Sequence, residues 1–129
     1  MKVLALDYGA ARTGVAVSDV TGTIARPLEV VERAATRDGL ARLCELVAEH
    51  RAERVVVGLP LTLRGEEGRQ ALETEEFVKA LRALLDVPVE SYDERFTTTL
   101  AAGASGNAPE DARAAAHLLE GYLTRMQTG

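Results

Sequence analysis

The sequence predicts a single α/β domain on a mixed five-stranded sheet, antiparallel where it begins and parallel where it continues, with helices on its faces. Three observations predict it. Short apolar runs come first, at residues 2 to 7, 14 to 18 and 23 to 31, joined by turns too short for a crossover. Helical periodicity then alternates with further apolar runs, as in βαβ units. Finally, Arg54-Val55-Val56-Val57-Gly58 is continuously apolar, the habit of a strand covered on both faces.

In the first strand Val3, Leu4 and Leu6 lead into Asp7. Gly9 and Gly14 supply turn geometry, and Gly14-Val15-Ala16-Val17-Ser18 reads as the second strand of a hairpin. Asp19-Val20-Thr21-Gly22 is the next turn. The third strand, Thr23 to Val31, contains Pro27, which cannot donate to a ladder, so it is expected at an edge or bent. Leu40, Leu43, Cys44 and Val47 fall on one helical face, with Thr36 or Asp38 as cap. After the strand at Arg54 comes a loop, Leu59 to Gly68, punctuated by Pro60, Gly65 and Gly68. Phe77, Val78, Leu81, Leu84 and Leu85 mark a second amphipathic helix. Val87-Pro88-Val89 opens a fifth strand that ends near Asp93-Glu94-Arg95. Thr97 to Gly106 has room for a short helix. Asn107-Ala108-Pro109-Glu110 opens the last helix, with an apolar face of Ala112, Ala115, Ala116, Leu119, Tyr122, Leu123 and Met126.

Composition excludes several classes. A chain of 129 residues, 47% apolar and 27% charged, suits one domain with one core (residues 1 to 129), not disorder or a coiled coil. No stretch approaches the roughly 20 apolar residues of a membrane span. The apolar run after Met1-Lys2 is too short for a signal-peptide core, so the expected location is cytoplasmic, with no membrane partner. Cys44 is the lone cysteine, which excludes an internal disulfide and a thiolate cluster. The net charge of −5 does not advertise a nucleic-acid binder, but binding depends on local patches and catalytic acids add to the negative total.

Asp7 ends a buried strand, where a carboxylate is costly unless something positive compensates it. The plain alternative is a surface Asp opening a turn. Asp93 and Glu94 end another strand, and Asp111 lies near the start of the last helix. Ligands of open α/β sheets gather outside the carboxyl ends of strands. If the two strands run parallel, one rim holds Asp7 with the Asp93-Glu94 pair. The alanine-rich last helix can bring Asp111 to them. Converging carboxylates repel one another unless cations intervene, and hard oxygen ligands select Mg²⁺ or Mn²⁺. Two such ions roughly 4 Å apart form the clamp that hydrolyses phosphodiesters. Taken singly, Asp93 and Glu94 also read as turn residues and Asp111 as a helix-dipole partner.

The chain resembles the YqgF/RuvX family, the Holliday-junction-resolvase-like nucleases of the RNase H fold, over nearly its whole length. Four blocks carry the resemblance. They are Leu6-Asp7-Tyr8-Gly9 with Arg12 and Gly14 to Asp19, then Val56-Val57-Gly58-Leu59-Pro60 with Gly65 and Gly68. Next come Tyr92-Asp93-Glu94-Arg95-Phe96-Thr97-Thr98, and last Asp111 with Ala114-Ala115, Leu118-Leu119 and Tyr122-Leu123. The resemblance implies an RNase H-like nuclease with a two-metal Mg²⁺ or Mn²⁺ site. It acts on nucleic acid, either at the 5′ end of the small-subunit (pre-16S) rRNA precursor or on branched DNA. Carried over by position, Asp7, Glu94 and Asp111 are the metal-binding catalytic acids, with Asp93 the runner-up to Glu94. Arg12 and Arg95 are candidates for phosphate contact. In one respect the chain departs from the family: Leu100 to Pro109 is short and uncharged, where members usually carry lysines and arginines. That bears on how strongly nucleic acid is held.

Other residues have plainer readings beside the functional ones. Arg12 either meets a substrate phosphate or neutralises Asp7. Asp19 belongs to a turn, and Ser18-Asp19 reaching the site is the lesser reading. Thr97 to Thr99 offer a cap or phosphate-binding hydroxyls. His117 could move protons near metals, although its helical direction does not match that of Asp111. His50 is a solvated residue. Tyr8 and Phe96 are packing residues or base-stacking platforms. Leu59 to Leu63 is either a contact surface or folds onto the core.

Two other functions remain open at this stage. Strand-Asp-x-Gly before a hairpin also resembles the phosphate loop of actin-like ATPases, whose cleft needs two such domains. A nucleic-acid-binding module that cleaves nothing is the other. Symmetric junction cutting would require a homodimer, and otherwise a monomer suffices.

Overall fold

The computed structural model of the chain describes residues 1–60, 68–93 and 109–128. Its elements run β1 (Val3–Asp7), β2 (Arg12–Ser18), β3 (Ala25–Glu32), α1 (Arg37–Glu49), β4 (Arg54–Leu59), α2 (Arg69–Leu84), β5 (Val89–Asp93) and α3 (Glu110–Thr128). The order within the five-stranded sheet is β3-β2-β1-β4-β5. β1 pairs antiparallel with β2 and β2 with β3, whereas β1–β4 and β4–β5 are parallel. The expected antiparallel start and parallel continuation are both present.

Side chains alternate across a strand, and each face of this sheet has its own core. Leu4, Leu6, Val15, Val17, Val55 and Val57 pack with Leu43, Leu46 and Val47 of α1 and with Phe77, Val78 and Leu81 of α2. On the other face Val3, Ala5, Ala16 and Val56 meet Ala115, Ala116, Leu118, Leu119, Tyr122 and Leu123 of α3. The small side chains of Ala5, Ala16, Ala115 and Ala116 let α3 lie close across the middle of the sheet. β1 and β4 are central and buried on both faces, which explains their unbroken apolar runs.

β3 is an edge strand, as Pro27 required. Val15 pairs with Glu29 and Ala16 with Pro27, so Leu28 is the extra residue of a bulge beside the proline. Thr36 caps α1, its hydroxyl accepting from the Gly39 amide at 3.3 Å.

Three expectations need correction. β2 starts at Arg12, so the hairpin turn is shorter than expected and Gly14 lies inside the strand. α2 starts at Arg69, eight residues before its first predicted apolar marker at Phe77, and Leu84 is 56% exposed. Its first turns bury Ala71 and Thr74, whose small and polar side chains gave no apolar signal. In α3 the buried face includes Leu118 but not Met126, which is 48% exposed where the helix runs off the sheet. The caps expected at Asn107, and the readings of Leu61 to Leu63, Thr97 to Thr99 and Phe96, lie outside the described residues.

Candidate active site

Asp7 is the last residue of β1, at the carboxyl ends of the three mutually parallel strands β1, β4 and β5. It shares the alternation of Val3 and Ala5, so it belongs to the face covered by α3. Its ladder partner across β2 is Gly14. Facing residues on adjacent strands lie roughly 5 Å apart.

Gly14 decides what else comes here. A Cβ built on it would stand 1.8 Å from the backbone oxygen of Asp111 and 3.0 Å from the amide nitrogen of Ala112. The first turn of α3 therefore rests on bare backbone at the position facing Asp7, and only glycine permits that approach. The β1–β2 register and this contact together bring Asp7 and Asp111 to one rim. A glycine inside an apolar strand run is a general sign of close backbone approach, but it does not say which element approaches.

Arg12 stands at the start of β2. Its Nε donates to Asp111 Oδ2 at 3.1 Å, with the two side chains 65% and 37% exposed. The sequence reading had Asp7 as the acid it would neutralise, and the ion pair formed is with Asp111, ninety-nine positions away. The turn beneath is firmly held. The Thr13 hydroxyl donates to Gly9 O and accepts from the Gly9 amide, both at 3.4 Å. The Arg33 amide donates to Ala11 O at 2.9 Å. Tyr8 stacks on Phe77 at a centroid distance of 4.3 Å, which makes it a packing residue. Burial pushes its hydroxyl pKa up, and the Glu73 carboxylate adds to that.

Asp93 ends β5 and pairs with Leu59. It shares the alternation of Val89, which belongs to the α1–α2 core, whereas Tyr92 packs on the α3 side. The pleat thus sets Asp93 on the face opposite to Asp7. Glu94 and Arg95 lie outside the described residues. Among the described residues, no group of three or more His, Cys, Asp or Glu side chains forms a metal site. Asp7 and Asp111 supply hard carboxylate oxygens at one rim, and Asp111 already attracts a cationic group. The chemistry of these two carboxylates fits a hard divalent cation.

The remaining candidates fall elsewhere. His117 pairs through Nδ1 with Glu120 Oε1 at 3.2 Å and lies six residues from Asp111, on a different side of α3. Ser18 and Asp19 sit at the opposite end of the sheet. There the Ser18 hydroxyl accepts from the Val3 amide at 2.8 Å, and Asp19 accepts from the amides of Thr23 and Ile24 at 2.8 and 3.0 Å. Cys44 is partly buried and burial raises its thiol pKa, as expected of a packing cysteine.

A family model described as "RuvX: Holliday junction resolvase" matches residues 1–125. The chain belongs to the RuvX family. Sequence relatives agree. A Syntrophomonas wolfei protein is 37% identical over 132 residues, covering 95% of this chain and 94% of its own. A Chloroflexus aggregans protein is 50% identical over 99 residues, 77% of this chain and 70% of its own. Both carry the provisional name pre-16S rRNA nuclease. Among solved structures, Thermus thermophilus RuvC bound to a Holliday junction superposes over 100% of this chain and 96% of its own, with a TM-score of 0.71 and 22% identity. A second structure of that RuvC gives 0.65 at 25% identity over 99% of this chain and 98% of its own. The RuvC-like sheet establishes the RNase H-like fold, and RuvX membership the enzyme class, a nuclease hydrolysing phosphodiester bonds. Among the described residues, no RuvX helix here is long and apolar enough to cross a membrane.

Proposed function

We propose that this RuvX-family protein is a divalent-metal-dependent nuclease that trims the 5′ end of the pre-16S rRNA precursor in the cytoplasm. The observation that carries the reading is the seating of Asp111 on Gly14, opposite Asp7. That register and contact support a reading in which two acids from distant parts of the chain serve one rim where the parallel strands end. The names of the relatives supply the substrate class.

In this reading Asp7, Glu94 and Asp111 hold Mg²⁺ or Mn²⁺. When bound, such ions supply an activated water and neutralise charge on the leaving oxygen. The rest of the work falls to the chain. β1, tied on both sides to β2 and β4, holds Asp7 at a set depth. Gly14 lets Asp111 down onto the rim. Arg12, with Arg95, directs N–H donors at a non-bridging phosphate oxygen, for which guanidinium geometry is suited. Tyr8, stacked on Phe77, keeps the residue after Asp7 from moving.

A second reading, cleavage of branched DNA, is favoured by the family description. It calls for a homodimer if the two strands are to be cut symmetrically. The deciding experiment is a cleavage panel: a labelled pre-16S 5′ leader, a four-way DNA junction and a linear duplex, each with Mg²⁺ or Mn²⁺. Cutting of the leader that is lost in Asp7→Asn supports the first reading, and preferential cutting of the junction supports the second. Cutting of none of them in either metal overturns both. ATP hydrolysis would then point to the actin-like alternative. Nucleic-acid binding without cleavage would point to the binding module.

A further inference from the structure

We propose that Arg12 serves two anions in turn: it is the counter-ion of Asp111 before a divalent cation is loaded, and it is released to the substrate phosphate by that loading. The inference rests on the metal-site reading above and adds a step of binding order to it.

The geometry has a fixed base and an exchangeable contact. The backbone on either side of Arg12 is pinned by Thr13 to Gly9 and by Arg33 to Ala11. A Cβ on Gly9 would meet Arg12 O at 2.6 Å, so the turn is closed tightly around this carbonyl. The side chain, in contrast, is 65% exposed and bridges to Asp111 through Nε at 3.1 Å. Exposed pairs of this kind are weakly held. A divalent cation on the Asp111 carboxylate repels the guanidinium and competes for the same oxygens. The side chain must then swing away on its fixed base.

Two anions could receive it. One is a phosphodiester drawn to the same rim. The other is Glu32, which faces Arg12 directly in the β2–β3 ladder and is exposed. Phosphate offers a guanidinium two oxygens in matching geometry and a charge-assisted bond. Glu32 is the resting partner that would make the exchange unproductive, and the test separates the two.

The test pairs Mn²⁺ calorimetry with RNA binding. Wild type, Arg12→Gln, Arg12→Lys and Asp7→Asn are titrated with Mn²⁺ at low ionic strength. With the competing charge gone, Arg12→Gln binds Mn²⁺ at least about threefold more tightly, and Arg12→Lys stays near wild type. Anisotropy of a labelled RNA hairpin is then read with no divalent ion and with Ca²⁺ as loading ion. Arg12→Gln weakens RNA binding about threefold or more with the ion and little without it. Unchanged or weaker Mn²⁺ affinity in Arg12→Gln overturns the proposal, as does an RNA-binding loss equal in both conditions. No RNA-binding loss in either condition means Arg12 passes to Glu32, and overturns it too. If wild type binds Mn²⁺ and Asp7→Asn does not, these failures leave the metal reading standing. If wild type binds no Mn²⁺, both fall.

Discussion

Near its carboxyl end, α3 presents the Tyr122 hydroxyl to Arg54 Nη1 at 2.8 Å and to Glu90 Oε1 at 2.5 Å. At its amino end it presents Asp111 to Arg12 in an exposed contact at 3.1 Å. The first arrangement is enclosed: the Tyr122 ring also meets Tyr92 edge-on at 5.4 Å, and burial with the Glu90 hydrogen bond raises the hydroxyl's pKa. Asp19, at that same end of the sheet, is held by backbone amides and by the hydroxyls of Thr21 and Thr23. The Tyr122 hydroxyl and the Asp19 carboxylate at this end each take several partners from within the chain and serve the fold. At the carboxyl ends of the strands, a backbone contact seats Asp111 on Gly14, the ladder partner of Asp7, and the Asp111 ion pair with Arg12 is exposed. The difference separates side chains that hold the structure from an exposed pair that contributes little to it.

Four substitutions sharpen or break that contrast. Asp111→Asn is expected to have the largest effect, and on activity alone. Loss of even an outer partner of a metal ligand costs up to about 100-fold, so cleavage should fall by at least that in a gel assay. Unfolding free energy should change by only about 1 kcal/mol or less, because the pair is exposed. A large loss of stability with cleavage retained would erase the distinction between the ends.

Gly14→Ala comes next. Its methyl would collide with the Asp111 backbone, which cannot rotate aside as a side chain could, so α3 must lift. Overpacking of this kind costs about 1–3 kcal/mol, visible as a lower urea midpoint, and cleavage should fall with it. Wild-type stability and rate in this variant would remove Gly14 from the account of the rim.

Tyr122→Phe should show the reverse of Asp111→Asn. It strips the hydroxyl from a half-enclosed pair of charged partners at a cost of about 1–2 kcal/mol in urea unfolding. The cleavage rate should be unchanged under folding conditions. A selective loss of rate would mean the two ends of α3 are coupled.

The smallest effect concerns pH. The amide of Ile24, followed by the Thr21 hydroxyl and the Thr23 amide, holds the Asp19 carboxyl well below the usual carboxylate range. Its folded pKa therefore lies under its unfolded one. The stabilisation is present above the ordinary Asp range and is lost as pH falls through it toward the folded value. Asp19→Asn should flatten the acid limb of a stability-versus-pH curve between about pH 4 and 2 and leave the neutral limb parallel to wild type. An unaltered acid limb would show that this turn does not contribute.

Much of this was legible in the residues themselves. Continuous apolar runs marked the buried strands because a central parallel strand has no solvent face. Pro27 marked the edge because it cannot donate to a ladder. Thr36 was readable as a cap from its place before the periodic run. The early turns of α2 were not legible, since Ala71 and Thr74 are buried by position, without apolar bulk. Nor was the role of Gly14, which resembles any turn glycine until a helix is laid on it.

The sequence by itself determined the mixed sheet, its order of elements and the three acidic positions at element ends. Those follow from local rules of periodicity, turn chemistry and capping, and from the blocks shared with the RuvX family. Only the tertiary structure decided that Asp111 descends onto Gly14, that Arg12 meets Asp111, and that the pleat turns Asp93 away from Asp7. These depend on where α3 crosses the sheet and on strand register. Both are set by the burial of Ala115, Leu118, Leu119 and Tyr122 against a surface whose buried residues come from three separate strands.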